Sequence, residues 1–351
     1  MANLLDYVAR YGHLSFERKP FNEVDNLIFS QLAYLDYTET RINENNLTLE
    51  TVGREYLMKY NYKEVRKIGV SQGFAYELLQ KVVEAPRFRN LIVSDYIYDT
   101  NRVMMFSAMT FRISKKLEYI AFEGTDEQIS GWREDFELAC SFPVPSHLRA
   151  RDYFNRHARM FGPKIITGGH SKGGNLALVG VMLMNQRKVG KIVKIYNNDG
   201  PGLRKKEFES PEFDRIRDRY VHIVPDCSIV GIMMRNANYR VVESSKMDIL
   251  GHAIETWQID GDHIKHGERS ARSKETERRL WVWLDNHDDR ERKKILEAVF
   301  GVIEGSNITD TMTLFKFNNI VKMIKQAKAL DKESKDLVLG LLKYVALRKD
   351  K

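Results

Sequence analysis

The chain has 351 residues, 43% of them hydrophobic and 30% charged, with 8 prolines and 2 cysteines. That composition excludes a disordered or collagen-like chain, and two cysteines exclude a disulfide scaffold or a four-sulfur zinc site. Net charge is +8, of which residues 264–351 carry +6.

No stretch approaches the ~20 apolar residues of a membrane-spanning helix. The N-terminus lacks a basic segment followed by an apolar one, so no secretory signal is read there. No zinc-finger, RRM or Walker signature accompanies the basic residues, so nucleic acid is not an expected partner. The expectation is a soluble, reduced, cytoplasmic protein. Its basic C-terminal helices suit peripheral contact with an anionic membrane surface.

In chain order, residues 1–90 read as mostly helical. Val24, Leu27, Ile28, Leu32 and Leu35 recur at helical spacing behind a candidate N-cap at Asn22, and a further helix spans 73–83. The pattern then changes to strand-length runs of β-branched and aromatic residues at 91–98, 103–113 and 117–122. Helices are expected at 132–139, 150–161 and 173–185, and short strands at 164–167, 192–196 and 220–224. Alternating strands and helices predict an α/β fold, a mostly parallel sheet flanked by helices. The helical period returns after about residue 270 and continues through 314–330 and 337–347. The expected organisation is an N-terminal helical segment (1–90), an α/β core (91–306) and a C-terminal helical pair (307–351).

The segment that carries chemistry is Gly168-Gly169-His170-Ser171-Lys172-Gly173-Gly174. It contains Gly-x-Ser-x-Gly between an apolar strand and an apolar helix, the context of a nucleophile elbow. Such a turn lifts the Ser171 hydroxyl above the sheet edge and aims a helix N-terminus at a developing oxyanion. The backbone N–H of Lys172 is the expected donor to that oxyanion.

Together with the strand Leu117–Phe122 ending in Glu123-Gly124-Thr125, and with Gly131-Trp132 downstream, this elbow resembles the class 3 lipases. The resemblance implies an α/β-hydrolase fold and gives Thr125 the second oxyanion contact. The chain is more similar still to a bacterial α/β-hydrolase subfamily with Gly-His-Ser-Lys-Gly-Gly at the elbow. That likeness covers Pro20–Leu27, Asn198-Asp199-Gly200-Pro201-Gly202, Ser228-Ile229-Val230-Gly231 and the stretch from His252 to Trp257. It implies no particular cellular role.

In α/β-hydrolases the base follows the acid in the chain. That leaves His252, His263, His266 and His287, with His222 too early. His252 occupies the position of the subfamily's histidine, although Ala253 stands where an aspartate is usual. His263 and His266 read as surface residues rather than a metal pair. Two acids stay open. Asp199 belongs to the subfamily's Asp-Gly-Pro-Gly motif, while Asp226 ends the next strand, where class 3 lipases carry their acid.

The expected function is a serine hydrolase cleaving a carboxylic ester, of a lipid or a small acyl compound, through Ser171, His252 and Asp199 or Asp226. No metal or organic cofactor is implied. The alternative is a binding or regulatory protein that keeps the hydrolase fold with little turnover.

Overall fold

The computed structural model describes residues 2–101, 104–125, 129–306, 317–328, 330–332 and 334–335. Seven strands form the main sheet: β1 (Ile92–Thr100), β2 (Met105–Ser114), β3 (Leu117–Phe122), β4 (Lys164–His170), β5 (Ile192–Asn198), β6 (Tyr220–Pro225) and β7 (Tyr239–Val242). They lie in sequential order. β1, β2 and β3 pair antiparallel, and β3 through β7 pair parallel.

Sequential order has a packing consequence. Right-handed crossovers that all step the same way place their helices on one face of the sheet. The crossover helices are α8 (Pro145–His157) and α9 (Lys172–Leu183), with the short α10 (Lys205–Phe208) and α11 (Pro211–Asp214). Ala150, Phe154, Leu176 and Phe213 from these helices share one buried cluster with Ile120, Phe122, Ile165 and Ile195 of the sheet.

The alternate strand residues Tyr119, Ala121, Ile166 and Tyr196 point the other way. The face they line would be bare without the N-terminal helices: α1 (Leu4–Tyr11), α2 (Glu23–Leu32), α3 (Leu49–Lys59), α4 (Tyr62–Ile68), α5 (Val70–Val82) and α6 (Pro86–Arg89). α2 is buried along its whole length and starts with an Asn22 capping box closed by Asp25. Asp25 also holds Arg87, both side chains fully buried. The Arg87 guanidinium satisfies the carbonyls of Leu14, Lys19 and Pro20, fixing the loop that enters α2.

α7 (Ile129–Glu137) precedes α8, and α12 (Ala271–Asp285), α13 (Asp289–Gly305) and α14 (Phe317–Lys328) close the described chain. Phe136 of α7 packs edge-on against Phe300 of α13, 5.7 Å between centroids. A two-stranded sheet, β8 (Ile259–Asp260) with β9 (His263–Ile264), lies between β7 and α12 in the chain. No helix among the described residues is long and apolar enough to cross a membrane. The helix expected at 337–347 lies outside the described residues.

The helix expected at 150–161 runs from Pro145 to His157, and Met160 and Phe161 beyond it are 80% and 98% exposed. β7, at Tyr239–Val242, was not expected.

Candidate active site

β4 ends at His170 and α9 begins at Lys172, so a single residue, Ser171, makes the whole turn. Its backbone is in the left-handed region, φ 56° and ψ −132°, rare for a residue with a Cβ. The Ser171 N–H donates to the Asn198 carbonyl at 2.9 Å, tying the turn to the end of β5. A Cβ on Gly173 would run into the Phe122 carbonyl and Glu123, and one on Gly169 into Gly173 and Phe122. Both glycines are therefore required by the close approach of β3, β4 and α9.

Asp199 follows β5, also at positive φ, 51°. Its buried carboxylate meets three partners. Oδ2 lies 2.7 Å from Nδ1 of His252. Oδ1 accepts from the Ser228 hydroxyl and from the Gly231 N–H at 3.0 Å. Burial raises the Asp199 pKa, and the contacts from His252, Ser228 and Gly231 oppose that rise. Asp226, at the end of β6, makes backbone hydrogen bonds to Val242 and Ser270. Of the two candidate acids, the structure brings Asp199 to His252 and leaves Asp226 in a strand-end role.

His252 closes a 3₁₀ turn (Asp248–His252), and its side chain is 15% exposed. The His170 ring lies against it, centroids 4.4 Å apart, so His252 stands beside the residue that precedes Ser171. Trp257 donates its indole N–H to the Gly251 carbonyl at 2.9 Å, fixing the loop from below. His263 and His266 stack on each other at 6.5 Å on the β8–β9 unit, with His263 beside Asp262. His222 is fully buried in β6, and burial depresses its pKa to about 3.

The strand-end segment after β3 crosses the elbow closely: a Cβ on Gly124 would meet the Tyr34 hydroxyl and the His170 carbonyl. Thr125 follows. Its hydroxyl donates to Asp135 Oδ2 of α7 at 2.7 Å, so its one proton points at a carboxylate. The resemblance gives Thr125 an oxyanion contact, and in this structure its hydroxyl proton is directed at Asp135. Burial pushes the Asp135 carboxyl up to about 6, opposed first by the Lys172 ammonium. The Lys172 side chain, expected to matter only through its backbone, is fully buried and reaches Glu134 of α7 at 2.7 Å.

Sequence reasoning missed Tyr34, Glu134, Asp135 and Ser228 as parts of this site. Ser228 stood in a quoted motif, and Glu134 and Asp135 just after Gly131-Trp132, all without a role. Nothing in local pattern marks Tyr34.

The fold, a mostly parallel sheet flanked by helices with a serine at positive φ between strand and helix, is that of the α/β-hydrolases. The chain belongs to the Mbeg1-like family, whose model matches residues 82–301. No curated protein matches it. Among solved structures it is similar to M37 lipase, at 17% identity over 60% of this chain and 70% of that one, TM-score 0.35. A fungal lipase–inhibitor complex gives 17% identity over 51% and 84%, TM-score 0.37. A Rhizomucor miehei lipase propeptide complex gives 15% identity over 70% and 82%, TM-score 0.36. Likeness at this level transfers no activity, and the functional reading rests on the site.

Proposed function

We propose that the protein is a serine hydrolase that cleaves a carboxylic ester through an acyl-enzyme. The observation that carries this reading is the buried Asp199 carboxylate at 2.7 Å from His252 Nδ1, beside a serine held at φ 56°. An Nδ1–H···Asp199 bond leaves His252 Nε2 as the free acceptor, the tautomer a general base needs. His252 takes the Ser171 proton as Oγ attacks the ester carbonyl. The N–H groups of Lys172 and Thr125 are the proposed donors to the oxyanion. His252 then returns the proton to the leaving alkoxide, and water attacks the acyl-enzyme by the same route to release the acid.

Substrate class is proposed as a lipid or small acyl ester. Cys140 and Cys227 are free thiols, which suits the reducing cytoplasm proposed for the protein. A second reading, a binding protein with little turnover, draws on one observation: Ser171 is only 6% exposed, so the site is closed in this conformation. A panel of p-nitrophenyl esters of increasing chain length separates the two. The hydrolase reading expects turnover that Ser171→Ala abolishes; no turnover of any ester by the folded protein supports the second reading.

A further inference from the structure

The residue after the nucleophile carries a charge with no access to water. Lys172 has a fully buried side chain, and its Nζ donates to Glu134 Oε2 at 2.7 Å and to the Met105 carbonyl at 2.8 Å. Glu134 Oε2 also accepts from the Met105 N–H at 3.2 Å. A closed ring of hydrogen bonds thus joins the elbow, the first residue of β2 and α7.

A buried ion pair is poor evidence for stability, because desolvating two charges offsets most of their attraction. What it does well is fix one geometry. The next residue on α7 shows what that geometry serves: Asp135 holds the Thr125 hydroxyl at 2.7 Å. The opposite side of α7 is tied separately, through Arg133 to Glu297 and Glu304 of α13. The inner tie is therefore not needed merely to keep α7 on the protein.

We infer that the Lys172 side chain is a positioning residue: through Glu134 it locks α7 to the elbow, and Asp135 thereby holds Thr125 in place for the oxyanion. Both ends of the oxyanion site then depend on one residue, Lys172, by its backbone N–H on one side and by its ammonium on the other. This rests on the ester-hydrolase reading above. An elbow with an apolar residue at this position would have no such tie to α7.

The test uses the full chain and a p-nitrophenyl ester. Lys172→Met with Glu134→Gln removes both charges, so neither is left buried alone, and the glutamine keeps an acceptor for the Met105 N–H. We expect kcat to fall about 10- to 100-fold, with KM within about twofold and a retained cooperative melt. The decisive readout is coupling to Thr125. In a Thr125→Val background the same pair of substitutions should cost less than about threefold more, because the link it acts through is already cut. A purely structural role would give equal losses in both backgrounds, and that result overturns the inference. So does wild-type kcat in the folded double variant. Glu134→Asp guards against a fold defect: it keeps the charge, shortens the reach, and should show the same kcat-only loss at smaller size; wild-type kcat there also overturns the inference. Ser171→Ala, run alongside, isolates the parent reading: activity surviving that change sinks the hydrolase assignment and this inference with it.

Discussion

The Nε2–H of His170 donates to the backbone carbonyl of His252 at 2.8 Å, while the two rings lie 4.4 Å apart. A carbonyl only accepts, so the proton sits on Nε2. Burial, helped by neighbouring His252, holds the His170 pKa well below its ordinary value, so the ring is neutral. Its Nδ1 is then an acceptor, and the Tyr34 hydroxyl donates to it at 2.8 Å. A chain of two hydrogen bonds runs from the N-terminal helical layer to the backbone of the proposed base. Those helices do more than cover the sheet.

Tyr34→Phe tests that chain. It leaves His170 Nδ1 buried without a donor, which costs about 1–3 kcal/mol. We expect a lower urea midpoint and a several-fold loss of kcat from a loosened His252. Unchanged stability and activity would show that the link to His252 is unimportant.

Asp199→Asn and Asp226→Asn form a matched pair. Asparagine keeps the size and can favour the wrong His252 tautomer, so the Asp199 change should lower kcat by about 10⁴. The Asp226 change should stay within about threefold, because its carboxylate is not the partner of His252. Equal losses, or the reverse order, would break the Asp199 assignment.

Asp135 gives a pH signature. Its folded pKa, about 6, lies above its ordinary value of 3.8. The folded protein therefore holds that proton more tightly than the unfolded chain. The contribution is most stabilising below pH 3.8, falls as pH rises towards 6, and is flat above. The full swing is about 3 kcal/mol. Asp135→Asn removes it, so the variant should gain stability relative to wild type between pH 4 and 7 in urea titrations. Parallel stability curves across that window would contradict the placement of a buried, titrating Asp135.

The sheet and the elbow were readable because local pattern encodes them. Ile165 and Ile166 before a glycine pair, and Leu176 to Val181 after it, give strand and helix in the right order. Pro145 was harder: a proline in the first turn of a helix looks the same in sequence as a proline in a loop. Asp199 against Asp226 could not be decided, since each ends one of two adjacent parallel strands. What separates them is the loop after β6, which turns the Ser228 hydroxyl and the Gly231 N–H onto Asp199 Oδ1. That is a tertiary fact with no periodicity to announce it. Lys172 misled in the same way, because an exposed lysine and a buried one are written with the same letter.

The most direct test of the account is covalent labelling of the intact protein by a fluorophosphonate, with the modified peptide identified by mass spectrometry. A serine activated by His252 and Asp199 should take one label, on Ser171, and Ser171→Ala should take none while melting like wild type. Undiminished labelling of Ser171→Ala, or a label placed on another residue, would contradict the assignment of Ser171 as the nucleophile.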